Sequence, residues 1–183
     1  MTDVFFGLQL AIVSPPGDPW RARLADLLRT FQRDLEIADQ RGLYGALANA
    51  LMDALPRATL GYWDFQADGA KEYADWLEGL RAEAETPWQP DPTGATMDHA
   101  LVSMLLLAPG SSGAAMQLGE ACDLPEPRWQ DRDTFAGLVQ ALPRVSFASV
   151  RGDAVFVTPG SVDAAFSRAE LAGEDYAHLQ PMR

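Results

Sequence analysis

Val4-Phe5-Phe6-Gly7-Leu8-Gln9-Leu10-Ala11-Ile12-Val13 is an apolar run rich in β-formers, interrupted by Gln9 and stopped by Ser14-Pro15-Pro16-Gly17. It is half the ~20 residues that a membrane helix needs, so it reads as a buried strand. Asp3 and the lack of Lys or Arg ahead of the run argue against a signal peptide. A second run, Ala100-Leu101-Val102-Ser103-Met104-Leu105-Leu106-Leu107, ends at Ala108-Pro109-Gly110 and reads as a central strand covered on both faces.

Working outward from these two runs, Asp18-Pro19 supplies an N-cap and a proline at the first helical position. Trp20, Leu24, Leu27, Leu28, Phe31 and Leu35 follow at helical spacing, which predicts one helix as far as Gly42. A second helix is expected from Leu43 to Leu55. An aromatic, alternating strand should span Ala58 to Gln66, and a helix Ala70 to Glu85, with Ala70, Tyr73, Trp76, Leu77 and Leu80 buried. The proline-rich stretch 86–96 reads as a linker or long loop. Shorter helices are expected at Ser112–Cys122 and Asp133–Leu142. Val145–Val150 and Ala154–Thr158 flank Arg151-Gly152-Asp153 as a hairpin, and Ser167-x-x-Glu170 is a capping box.

The fold expected is therefore α+β: one domain over 1–183, with a mainly antiparallel sheet of four or five strands packed with helices. Its halves, 1–85 and 97–183, are joined by the loop 86–96. Ala54-Leu55-Pro56-Arg57 returns as Ala141-Leu142-Pro143-Arg144, in both places between helix and strand. The echo fits an internal duplication of a strand–helix–helix–strand unit, and it equally fits local turn chemistry.

Composition narrows the function classes. The net charge of −12 opposes binding to nucleic acid or to an anionic membrane, and reads either as solubility through self-repulsion or as a surface steered toward a basic protein partner. Cys122 is the sole cysteine, which excludes an internal disulfide and fits a reducing, cytoplasmic setting. Carboxylates on both sides of Cys122 oppose its thiolate, so it reads as a core residue rather than a nucleophile.

The second half resembles an uncharacterised domain family that includes the plastid fluctuating-light-acclimation proteins and their cyanobacterial relatives. The pieces that carry the resemblance occur in order: Leu101 to Ala108, Leu138-Val139-Gln140-Ala141-Leu142, Val155-Phe156-Val157-Thr158-Pro159, Ser167-Arg168-Ala169-Glu170-Leu171, and Asp175-Tyr176-Ala177-His178-Leu179-Gln180-Pro181. Upstream, Gly42 to Leu55 followed by Gly61-Tyr62-Trp63 is similar as well. Val157 stands where that family has Trp, and Ala177 where it has Pro. The resemblance implies a fold and an accessory, non-enzymatic role, and it transfers no active-site residue.

No Cys/His cluster of zinc spacing and no Gly-x-Ser-x-Gly elbow is present, and neither a metal nor a cofactor is called for. His99 beside Asp98 is either an oriented base or a strand-edge histidine, and His178 either packs beside Tyr176 or faces water. Pro109-Gly110-Ser111-Ser112-Gly113 matches no phosphate-loop pattern and reads as a turn. Asp68, Glu72 and Asp75 recur at helical spacing on a solvated face. With Trp88 and Trp129 in proline-flanked loops, they are the candidate interface residues of an accessory domain working through protein contacts. The alternatives are a metal-dependent hydrolase on Asp64, Asp68 and Glu72, or a small-ligand carrier with a pocket between sheet and helices.

Overall fold

The computed structural model describes residues 2–31, 37–85 and 96–183. The two apolar runs become β1 (Asp3–Val13) and β3 (Met97–Pro109), which pair antiparallel along the whole of β1, Leu8 opposite Met104. β2 (Ala58–Gln66) flanks β1 and β4 (Gly152–Thr158) flanks β3. Two short strands complete the antiparallel sheet, β5 (Phe166–Ser167) against the start of β3 and β6 (Gln180–Pro181) against β2, in the order β4-β3-β1-β2-β6. The sheet thus has six strands where four or five were expected. The two extra ones are two residues long, too short for a period-2 signal.

Alternate residues of β1 and β3 face opposite layers, and both layers are filled, which is why the runs are apolar throughout. Phe6, Leu8, Leu10 and Met104 pack against α1 (Pro19–Phe31), α2 (Ile37–Ala54), α4 (Gly113–Cys122) and α5 (Arg132–Ala141). On the other face Phe5 and Leu105 meet Leu80 of α3 (Ala70–Glu85), while Ala11 and Leu101 meet Leu171 and Leu179 of the C-terminal tail. The order strand–helix–helix–strand occurs twice, as β1-α1-α2-β2 and β3-α4-α5-β4.

Two elements depart from expectation. The first two helices do not divide at Gly42. α2, from Ile37, runs through Gly42 and Gly45 because Tyr44, Leu47, Leu51 and Ala54 continue one fully buried stripe. A glycine inside a helix costs about 1 kcal/mol, less than burying one leucine returns. The hairpin at Arg151-Gly152-Asp153 is also overturned. Val145–Val150 is not a strand: Phe147–Ser149 is a 3-10 turn that drives Phe147 against Tyr44, ring centroids 4.5 Å apart. Gly152 and Asp153 instead begin β4 on the long edge of β3, which a local hairpin would have left unpaired.

The capping signals hold. Asp18 Oδ1 accepts the Trp20 N–H at the start of α1, and the Ser167/Glu170 pair bonds reciprocally, opening a 3-10 turn (Glu170–Ala172). Among the described residues, no helix is long and apolar enough to cross a membrane.

Candidate functional site

α3 presents Glu72, Trp76, Gly79, Leu80 and Glu83 along one helical stripe, and the tail carrying Tyr176 lies across the sheet from it. Between them opens a cleft of about 620 Å³, floored by Gln9 of β1 and Tyr62 of β2 and walled on the tail side by Asp175, Tyr176 and His178. The Tyr176 hydroxyl donates to the Glu83 carboxylate and clasps the tail to α3. Burial first, then that carboxylate, push the Tyr176 hydroxyl far up, so it stays protonated and donates.

Aromatic rings form the lining. Tyr62 and Trp76 stack at 5.8 Å with 26° between planes, and His178 stands edge-on to Tyr62 at 5.2 Å. Trp76 Nε1 donates to Glu72 Oε1 at 2.8 Å, which holds the carboxylate beside the indole. His178 Nε2 donates to Gln9 Oε1 at 2.6 Å, and Gln9 Nε2 donates to the buried Ser103 hydroxyl at 3.0 Å. Burial lowers the His178 pKa below its ordinary 6.5, so the ring is neutral at pH 7. Tyr62 is raised by burial and then by the charges of Asp64 and Glu72. No lysine or arginine is among the described residues that line this cleft. Paired rings edged by three carboxylates suit a cation, which gains from both the π faces and the negative field.

The candidates read from sequence fall unevenly around this cleft. Glu72 belongs to it. Asp68 lies exposed in the turn before α3, and Asp75 pairs with Lys71 on the outer side. Asp64 takes the Gln66 side-chain amide at 2.8 Å, so Asp64, Asp68 and Glu72 do not converge, and no metal-holding group of three appears among the described residues. Trp88 lies outside the described residues. Trp129 is 43% exposed, but its Nε1 donates to the Leu124 carbonyl and its ring meets Trp63 edge-on at 5.7 Å. Trp76, read as core, is half-buried and shapes the cleft. His178 packs on Tyr62 rather than on Tyr176. His99 is buried, with Nδ1 2.7 Å from Asp98 Oδ1 and Nε2 3.2 Å from Thr59 Oγ1, and it lines neither this cleft nor the groove described below.

Glu83 was among the carboxylates of α3 read as contact residues, whereas Gln9, Asp175 and Tyr176 escaped the reading as site residues. One of them left a signal: Gln9 is the single polar interruption of β1, and a buried polar side chain must find partners. Its partners lie 94 and 169 positions away.

Cys122 is half-buried, in surroundings that disfavour its thiolate. Burial, and then Asp64, push its thiol up to about 12. The native protein should therefore leave a disulfide reagent essentially unreduced at pH 8, with a single thiol titrating once urea unfolds the chain. Rapid native reaction would show an open thiolate environment.

No protein-family model, no curated protein and no solved structure matches this chain.

Proposed function

We propose that the protein is a non-catalytic accessory domain that recognises a basic segment of a partner protein, taking its guanidinium or ammonium groups in the cleft between α3 and the tail. The observation that carries this reading is the cleft lining: Tyr62 stacked on Trp76, with Glu72, Glu83 and Asp175 around them and no cationic side chain among its described lining residues. The volume of about 620 Å³ exceeds a single side chain and suits a few residues of an extended peptide. The net charge of −12 steers such a partner inward at low salt.

Titration of Trp fluorescence with an arginine-rich decapeptide at low and at moderate salt tests this. Saturable, salt-weakened binding is expected, with Glu72→Gln/Glu83→Gln weaker by roughly tenfold or more, since each glutamine keeps the acceptor oxygen and loses only the charge. Equal binding of a glutamine-substituted decapeptide would sink the reading. If free spermidine saturates the cleft as tightly as the peptide, the protein is a small-cation carrier instead.

pH gives an independent check. Protonation of His178 would add a positive charge inside the cleft, so affinity should fall as pH drops below 6.5 through its lowered pKa. His178→Gln should flatten that part of the profile, and a wild-type profile parallel to the variant's would remove His178 from the site.

We infer that the chain also carries an internal duplication. The two strand–helix–helix–strand runs are copies of one unit: Leu8 pairs with Trp63 as Val102 pairs with Val157, each 94 positions on, and Leu-Pro-Arg follows the second helix in both. Kinship with the fluctuating-light-acclimation proteins rests on the ordered motifs, which here lie on β3, α5, β4 and the tail.

A further inference from the structure

β4 is hydrogen-bonded on one side only among the described residues. Its other edge faces a groove of about 830 Å³ between α1 and α3, closed at one end by the 159–162 loop. Natural edge strands are defended by lysine, proline, a bulge or brevity. Gly152-Asp153-Ala154-Val155-Phe156-Val157-Thr158 has no lysine or proline, pairs with β3 in unbroken register, and is seven residues long. Its one charged residue is no guard: Asp153 is turned inward, accepts from the Tyr44 hydroxyl at 3.0 Å and is raised in pKa by burial. Every residue from Gly152 to Val157 is only half-buried.

The walls specify what fits. Ala25 and Leu28 of α1 and Ala84 of α3 offer an apolar lining above and below the strand edge. Three arginines converge on it in a chain with nearly twice as many acids as bases. Arg21 is committed to the carbonyls of the closing loop, but Arg29, whose one described ion-pair partner is the exposed Asp26, and Arg81 stand at the rim. Arg81 makes no ion pair with a described residue. α3 thus divides two surfaces of opposite sign, the acidic cleft on one flank and this basic groove on the other.

We propose that the free edge of β4 takes an extended, carboxylate-bearing peptide segment of a partner as an added antiparallel or parallel strand, with its acidic side chains on Arg29 and Arg81. Main-chain bonds to β4 give affinity, and the two guanidinium groups select the charge. A second copy of this chain is disfavoured as occupant, because it too carries a net charge of −12 and its own β4 contributes no free carboxylate.

The test is an NMR titration of the labelled full chain with the capped peptide Glu-Val-Thr-Val-Glu, alongside Lys-Val-Thr-Val-Lys. Shift changes and slowed amide exchange should localise to β4, α1 and the C-terminal half of α3. The lysine peptide should bind at least roughly tenfold more weakly, and Arg81→Glu, a substitution on the exposed side of α3, should reverse the preference. Unchanged β4 amides at millimolar peptide overturn the proposal, as do equal affinities for the two peptides. Concentration-dependent protection of β4 without any peptide also overturns it, by assigning the edge to self-association.

Discussion

Gly69→Ala should cost about 3 kcal/mol of stability, the upper end for forcing one methyl into a packed interior. A Cβ at Gly69 would lie 2.2 Å from Phe5 Cβ and 2.8 Å from the Phe5 backbone nitrogen. Neither atom can yield, because Phe5 is fully buried in β1, the middle strand of the sheet. The Gly69 N–H donates to the Asp3 carbonyl and its own carbonyl accepts from Tyr73, both at 2.9 Å, so the clash falls on the tether between β1 and the first turn of α3. Relief requires lifting α3, which carries Glu72 and Trp76 away from Tyr62 and spoils the cleft. Urea unfolding should show the loss, with a parallel loss of decapeptide binding. Gly45→Ala is the control: it lies inside α2 with nothing within 4 Å of its Cβ, so it should gain up to about 1 kcal/mol. A Gly69→Ala midpoint equal to wild type would mean that α3 does not press on β1 as described.

Arg21→Met should lose about 3 kcal/mol and loosen the chain between β4 and β5. Arg21 is 2% exposed, yet no carboxylate lies within ion-pair distance of it among the described residues. Its guanidinium donates instead to the carbonyls of Pro159 and Ser161 at 3.0 Å, and to that of Ala164. Methionine fills a similar volume and takes a donor from all three carbonyls; that of Ser161 keeps the Ala164 N–H at 3.2 Å, while those of Pro159 and Ala164 each cost on the order of 1–3 kcal/mol if they stay dry. Because these carbonyls border the groove, water can reach some of them, which keeps the total near the lower end of that sum. Arg21→Lys should rescue little, since one ammonium on a flexible stem cannot span acceptors from three residues. Hydrogen exchange of the amides from 159 to 167, read beside a urea titration, checks both statements. Unchanged protection in the methionine variant would show that the loop holds itself.

The site divides along the same line as the fold. Glu72 was legible because it recurs with Asp68 and Asp75 at helical spacing, but spacing alone could not say which carboxylate turns inward. Asp75 is drawn to Lys71 on the outer side, while the Trp76 indole draws Glu72 to the cleft. Tyr176 and His178 lie in a tail whose only signal of local structure was the capping box at Ser167. Their meeting with Glu83 and Gln9 depends on Leu171 and Leu179 docking on the sheet.

By itself the sequence determined the α+β class, the two doubly buried strands, the extents of β2 and α3, and the caps at Asp18 and Ser167. Each of these is written in local periodicity or in a side chain that bonds its own backbone. Only the tertiary structure decided that β4 joins β3 and keeps its outer edge unpaired among the described residues, that Val145–Val150 coils into the core, and that the tail closes a cleft over Tyr62 and Trp76. Those choices depend on which distant surfaces compete for the same apolar face and the same unpaired edge. That competition is settled by burial summed over the whole sheet, and no window of the sequence contains it.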